Sequence, residues 1–237
     1  MTTIRRIKGI NMRSASIQLI SRTGGKYNHY SQNDYIVKNK WGHADPSKRQ
    51  GAWIGNNHDS KGYVTEYGVE GGVCLGLAGT YLMAGKNWET FKPYIAGERG
   101  KGLVRGIVNY QEQLSKIGNM AAMKTVLHTI LKNNNVNFIN ENRVSPTNTA
   151  EEISTGILNN IEQGFGYHLS IKRAGGGHSL AIRQEQGKIK LFDPNYGEVT
   201  YPYEQGRCEG MATFLTHLFS QYYNKYFLIS IERYALN

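Results

Sequence analysis

Three short stretches of the chain combine a group able to do chemistry with a backbone that lets a substrate approach it. Gly71-Gly72-Val73-Cys74-Leu75-Gly76-Leu77 sets a thiol after a glycine pair, at the start of a run with helical periodicity. A helix N-terminus offers unpaired N–H groups and the positive end of the helix dipole, and both favour a thiolate. The glycines keep the approach open, so an acyl carbonyl could meet the sulfur and the Cys74 amide together. Gly175-Gly176-Gly177-His178-Ser179-Leu180-Ala181 places an imidazole at the start of a strand, and Phe192-Asp193-Pro194-Asn195-Tyr196-Gly197 ends an apolar strand on a carboxylate. Each stretch has an ordinary structural alternative. A buried cysteine packs as a small hydrophobe, a histidine beside a loop is satisfied locally, and Asp-Pro opens a turn whose carboxylate accepts backbone N–H groups.

Spacing joins the second stretch to the third. A hairpin closed at Gln186-Gly187, with Glu185 opposite Lys188, puts Leu180 opposite Asp193 and His178 opposite Asn195. His178 and Asp193 are then diagonal neighbours on one face, about 7 Å apart at the backbone. A four-residue turn would put them directly opposite, and a three-residue turn would send them to different faces. With either even count the carboxylate reaches one ring nitrogen and leaves the other for a partner such as Cys74. His29, His43, His58, His128, His168 and His217 have no comparable context.

The elements that must position these groups follow from periodicity. Cys74, Leu77, Ala78, Tyr81 and Leu82 recur at helical spacing and predict one apolar helix face that begins with the cysteine. Residues 103–132 carry a longer helical pattern, interrupted near Gly118 and stopped by Asn133-Asn134-Asn135. Thr149-Ala150-Glu151-Glu152 fits a capping box ahead of a helix with Ile153, Ile157, Leu158 and Ile161 inward, ending near Gly164. The period then becomes two: Tyr167, Leu169 and Ile171, then His178, Leu180 and Ile182, then Ile189, Leu191 and Asp193. Residues 197–201 and 226–231 predict two more strands, with a helix over 210–221 between them. Residues 34–72 read as loop and short irregular structure. Helices first and antiparallel strands later is an α+β order, without the alternation of a doubly wound sheet.

Composition bounds the function classes. With 39% hydrophobic residues in 237, the chain can bury the core of one large domain, which excludes a disordered tail or a disulfide miniprotein. No apolar run approaches the roughly 18 residues of a membrane-spanning helix. Two cysteines without CxxC or HxxxH spacing predict neither a disulfide framework nor a metal site, so Cys74 and Cys208 read as free thiols and Cys208 as inert. The net charge is +10, yet six of those charges precede the first acidic residue, Asp34. The leader lacks the apolar core of a secretory signal. Residues 1–33 therefore read as a flexible basic arm, whether solvated tail, export segment or phosphate-binding arm, ahead of a catalytic domain over residues 34–237.

In order and spacing, G-x-C-x-G-L, G-G-H-S-L-A and F-D-P-N-x-G across residues 71–197 resemble the YopT/AvrPphB-type cysteine proteases, bacterial effectors with a papain-like fold. The resemblance implies Cys74 as nucleophile, His178 as general base and acid, and Asp193 as the group that orients the imidazole. It implies an exported effector or toxin that cleaves a host protein in the host cytoplasm through a thioester, with no cofactor and no metal. One oxyanion donor would be the Cys74 N–H. Papain-like enzymes commonly add a Gln or Asn a few residues before the cysteine, where residues 68–73 offer only Glu70, so Asn56 or Asn57 are the candidates. YopT-like members meet the polybasic tails of prenylated, membrane-associated GTPases, which a basic chain would repel, so a neutral or acidic target is expected. AvrPphB-like members process their own N-terminus, for which Gly24-Gly25-Lys26 is the candidate site here. Two alternatives stay open: a deamidase or transglutaminase using the same triad, and a basic nucleic-acid or membrane binding module with an inactive triad, which the interleaved Tyr and Lys of residues 26–41 would serve. For the protease, no nucleic-acid partner is expected.

Overall fold

The computed structural model describes residues 14–39, 43–44, 63–64, 73–116, 120–145, 149–173, 176–204, 208–224 and 228–236. In chain order the elements are α1 (Ser14–Arg22), β1 (Lys26–His29), α2 (Gln32–Lys38), β2 (His43–Ala44), β3 (Tyr63–Val64), α3 (Cys74–Ala84), α4 (Trp88–Ala96), α5 (Glu98–Lys116), α6 (Met120–Lys132), β4 (Val136–Val144), α7 (Ala150–Leu158), β5 (Phe165–Arg173), β6 (Gly176–Glu185), β7 (Lys188–Asp193), β8 (Gly197–Pro202), α8 (Glu209–Gln221) and β9 (Leu228–Leu236). Seven strands form one antiparallel sheet in the order β1-β8-β7-β6-β5-β9-β4, and β2 pairs with β3 apart from it. The α+β class expected from the sequence is the one found. No helix among the described residues is long and apolar enough to cross a membrane.

Helices cover both faces of the sheet. Tyr167, Leu169, Ile171, Leu180, Ile182, Ile189 and Leu191, the residues with period two, pack against Ile20 of α1, Ile153 and Ile157 of α7, and Phe214, Leu215 and Leu218 of α8. The opposite face carries Ala181, Phe192 and Tyr234 against α2 to α6. Phe192 is the anchor of that second core: the rings of Tyr30, Tyr81, Trp88 and Phe91 surround it at centroid distances of 5.6, 4.7, 6.2 and 5.3 Å. Such ring pairs contribute about 0.5–1.5 kcal/mol each beyond area burial, and here they hold the end of β7 in place.

The β6–β7 hairpin has the register that the sequence predicts, with Glu185 paired to Lys188 and Ala181 to Phe192. Gln186 and Gly187 both adopt positive φ, 54° and 67°, as a two-residue turn matched to strand twist requires. The capping box of Thr149 and Glu152 is present, although α7 ends at Leu158 rather than near Gly164. The helical pattern over 103–132 is two helices, α5 and α6, and α5 starts earlier, at Glu98. Within residues 34–72, the expected loop, the chain forms most of α2 together with β2 and β3. Two further elements carry no clear periodicity: α4, capped by the Asn87 side chain accepting from the Glu89 N–H, and β4, an edge strand whose Glu141 accepts from the Ser230 hydroxyl of β9.

The flexible arm expected over residues 1–33 does not hold for residues 14–33. Helix α1 docks on α8 through buried Ile20 and Ser16, whose hydroxyl lies 2.8 Å from both His217 Nε2 and the Tyr222 hydroxyl. Strand β1 then pairs with β8 along its whole length. The basic residues Arg22 and Lys26 sit at exposed positions, so the arm reads as polar in one dimension while Ile20 and Tyr30 are buried. Gly24 and Gly25, the candidate processing site, form the α1–β1 turn, with Gly25 N–H bonded to Ile20 O at 2.8 Å and no room for a side chain against Tyr201. Residues 1–13 lie outside the described residues.

Candidate active site

Cys74 is the first residue of α3, next to Val73, which supplies no side-chain cap. The expected single apolar face is an understatement: every residue from Cys74 to Leu82 is buried. Small residues make that possible. A side chain at Gly76 would lie 2.7 Å from Val104 O, so the glycine after the cysteine is what lets α5 approach α3. At the far end Arg183 donates to Leu82 O, and Lys190 Nζ donates to Lys86 O at 2.5 Å. One cation from the sheet thus meets the carbonyl end of α3 and a second meets the turn just after it, which ties the helix to the strands that carry the other groups.

His178 lies on β6, paired with Ile171 of β5, and Asp193 is the last residue of β7, paired with Gly197 of β8. The side chains meet: His178 Nε2 donates to Asp193 Oδ1 at 2.8 Å, and both residues are almost fully buried. Nδ1 is thereby left as the ring nitrogen for Cys74, with which His178 shares a side-chain hydrogen bond. Burial alone would push the Cys74 thiol up. The hydrogen bond and charge of His178, together with the backbone N–H groups of Ser179 and Leu75, outweigh it and hold the thiol below its ordinary value. For His178 burial works the other way, towards the neutral ring, but the Asp193 charge and hydrogen bond, followed by Cys74, raise it above the usual histidine range. The structure therefore brings together all three residues singled out from the sequence and supports a thiolate–imidazolium pair.

The turn after Asp193 is held from two directions. Asp193 Oδ1 also accepts the Asn195 backbone N–H at 2.9 Å, so the local turn expected of Asp-Pro coexists with the histidine bond. From the N-terminal segment, Gln32 N–H donates to Pro194 O at 2.7 Å, Gln32 Nε2 donates to Asn195 Oδ1, and the Tyr27 hydroxyl donates to Tyr196 O at 2.6 Å. From the other side Tyr223 donates its hydroxyl to Asp193 Oδ2. Gly197, with φ of 120°, closes the turn; a side chain there would stand 2.0 Å from Asn28 O.

Sequence reasoning missed Gln32 and Tyr223. Nothing local distinguishes Tyr223 among sixteen tyrosines, since its role arises from a carboxylate thirty positions away. It also passed over His168, whose Nδ1 bonds Glu232 at 2.9 Å and Nε2 bonds the Ser179 hydroxyl at 3.0 Å, on the opposite face of β6 from His178. The oxyanion candidates Asn56 and Asn57, with Glu70, Gly71 and Gly72, lie outside the described residues. Cys208 donates to Pro202 O at 3.2 Å, and burial raises its thiol.

A family model described as Yersinia/Haemophilus virulence surface antigen, Peptidase_C58, matches residues 24–228. Among solved structures, the Pseudomonas avirulence protein AvrPphB aligns with a TM-score of 0.57 at 18% identity, over 69% of this chain and 92% of that one, and shares the fold. PatoxP, a cysteine protease-like domain of the Photorhabdus asymbiotica toxin PaTox, aligns more loosely, with a TM-score of 0.40 at 14% identity, over 93% of this chain and 57% of that one. No curated protein matches.

Proposed function

Because the chain belongs to the Peptidase_C58 family of cysteine proteases, we propose that it is an exported effector that cleaves a host protein through Cys74, His178 and Asp193. The observation that carries this reading is geometric: the buried Cys74 opens α3 beside His178, whose Nε2 is held by Asp193 Oδ1 at 2.8 Å. The thiolate attacks the scissile carbonyl carbon, a C–S bond forms, and the carbonyl oxygen becomes an oxyanion received by the Cys74 N–H. Collapse breaks the C–N bond, and His178 hands its proton to the leaving amine. Water, losing a proton to His178, then attacks the thioester; the acid product leaves and the thiolate is restored beside the imidazolium. Asp193 fixes the ring so that Nδ1 faces the sulfur throughout.

The substrate is a neutral or acidic host protein. A chain with a net charge of +10 attracts such a partner and repels a polybasic one. The host cytoplasm is a reducing compartment, which keeps Cys74 in the form that can attack. To test the reading, host cytoplasmic extract is treated with the wild type or with Cys74→Ala, and new peptide N-termini are labelled and identified. Termini produced only by the wild type are expected. Conversion of an amide to an acid without chain scission would overturn the protease reading in favour of a deamidase.

A further inference from the structure

Asp193 uses one carboxylate oxygen for His178, and the other is also taken. Oδ1 accepts from His178 Nε2 at 2.8 Å and from the Asn195 N–H at 2.9 Å, while Oδ2 accepts from the Tyr223 hydroxyl. Tyr223 follows the C-cap residue of α8 and is 2% exposed. Its ring centroid lies 5.5 Å from that of His178, tilted by 33°, and is backed by Phe219 at 6.0 Å and Tyr196 at 6.5 Å. A buried carboxylate with donors on both oxygens cannot turn about its terminal bond without losing them. The phenol thus constrains the one group that sets which nitrogen of His178 carries the outward proton.

We propose that Tyr223 is a positioning residue for the thiol chemistry: its hydroxyl locks Asp193 with Oδ1 towards His178, and its ring covers one side of the imidazole. The proposal rests on the reading of Cys74, His178 and Asp193 as a triad. It also gives α8 a part in the site. Tyr222 at the end of that helix bonds Ser16 of α1 at 2.8 Å, and the next residue holds the carboxylate.

The experiment compares Tyr223→Phe, Asp193→Ala and the double variant in the rate of Cys74 alkylation by iodoacetamide near pH 6, followed by intact mass. Tyr223→Phe keeps the ring and removes only the hydroxyl. Its rate is expected to fall about fivefold to tenfold, the fold-change given by the net contribution of one hydrogen bond. In the Asp193→Ala background the same substitution should change nothing further, because the phenol acts through that carboxylate. Cys208 alkylation, the internal reference, should be the same in all variants. A second readout is the downfield proton resonance of His178 Nε2–H, assigned by its loss in His178→Ala, which should shift in Tyr223→Phe. A wild-type rate and an unshifted resonance in Tyr223→Phe would overturn the proposal, as would an equal loss in both backgrounds, the mark of a purely structural role. A wild-type Cys74 that alkylates no faster than Cys208 would instead overturn the triad reading on which it stands.

Discussion

His178 and Asp193 are joined by a 2.8 Å side-chain bond just beyond the point where their own strands cease to pair. The β6–β7 ladder runs from Glu185–Lys188 to Ala181–Phe192 and stops there. Past that point His178 is paired to β5 and Asp193 to β8. The side-chain bond therefore bridges the diagonal at the end of the ladder, and its length depends on how firmly the two strands are held by their outer neighbours.

The thiolate–imidazolium pair sets a pH window. The thiol is lowered and the imidazolium raised, so the reactive pair exists between the two values. Alkylation of Cys74 in the wild type should remain fast near pH 6. In His178→Ala the buried thiol loses its partner, and its rate should fall about tenfold per pH unit below a thiol value of about 8.5, a difference above a hundredfold near pH 6. Equal rates for the two proteins at that pH would remove the pair.

Gly197 separates conformational strain from mere loss of flexibility. At φ of 120° and 2.0 Å from Asn28 O, an added side chain must displace β1 and the turn that carries Asp193. Gly197→Ala should cost about 3 kcal/mol or more, strain and displaced strand together, and slow Cys74 alkylation. Gly187 has φ of 67° but open space around it, so Gly187→Ala should cost only about 1 kcal/mol and leave alkylation unchanged. Thermal midpoints of the two variants check the ranking; a Gly197→Ala protein as stable as Gly187→Ala would contradict it.

Glu232 governs acid stability. It is 1% exposed, lies 3.3 Å from Lys124 Nζ and bonds His168. Burial alone would raise its carboxyl, but His128 and His168, with the Tyr234 hydroxyl, hold it well below the usual carboxylate range. A depressed carboxylate contributes stability above its unfolded value of about 4.3 and loses it as pH falls through the folded value. Glu232→Gln should thus destabilise the protein at neutral pH by about 3–5 kcal/mol, with the gap narrowing in acid. Denaturant unfolding at neutral pH and near pH 3 measures both; a gap that widened in acid would show the sign to be wrong.

Charge should select substrates. Acidic peptides should be cleaved with higher kcat/KM than polybasic ones, and the preference should shrink as the screening length falls from about 10 Å at 0.1 M salt to about 3 Å at 1 M. Tight, salt-sensitive binding of a polybasic peptide would refute the proposed target class.

Much of the site is legible in the sequence because its logic is local. Glycines before Cys74 and His178 announce close approach, Gln186-Gly187 sets an even-length turn, and the alternation of Leu180, Ile182, Ile189 and Leu191 puts His178 and Asp193 on one face. The hairpin needs only neighbouring residues and the two-residue period of a strand. Helix α7 is equally plain, since a capping box is written in four consecutive residues.

Residues 14–33 and the polar face of the sheet show the limit. His168, Arg183, Lys190 and Glu232 are polar strand residues, yet all are buried, because each finds a partner far along the chain. By itself the sequence determined the α+β order and the hairpin register, which follow from short-range spacing, and it singled out Cys74, His178 and Asp193 as candidates. Only the tertiary structure decided that α1 and β1 belong to the sheet and its helices, that Gln32 and Tyr223 clamp the Asp193 turn, and that the thiol is lowered rather than raised. Those outcomes depend on which distant groups share a buried volume, where a hydrogen bond or a nearby charge outweighs desolvation only if the fold brings the partner within reach.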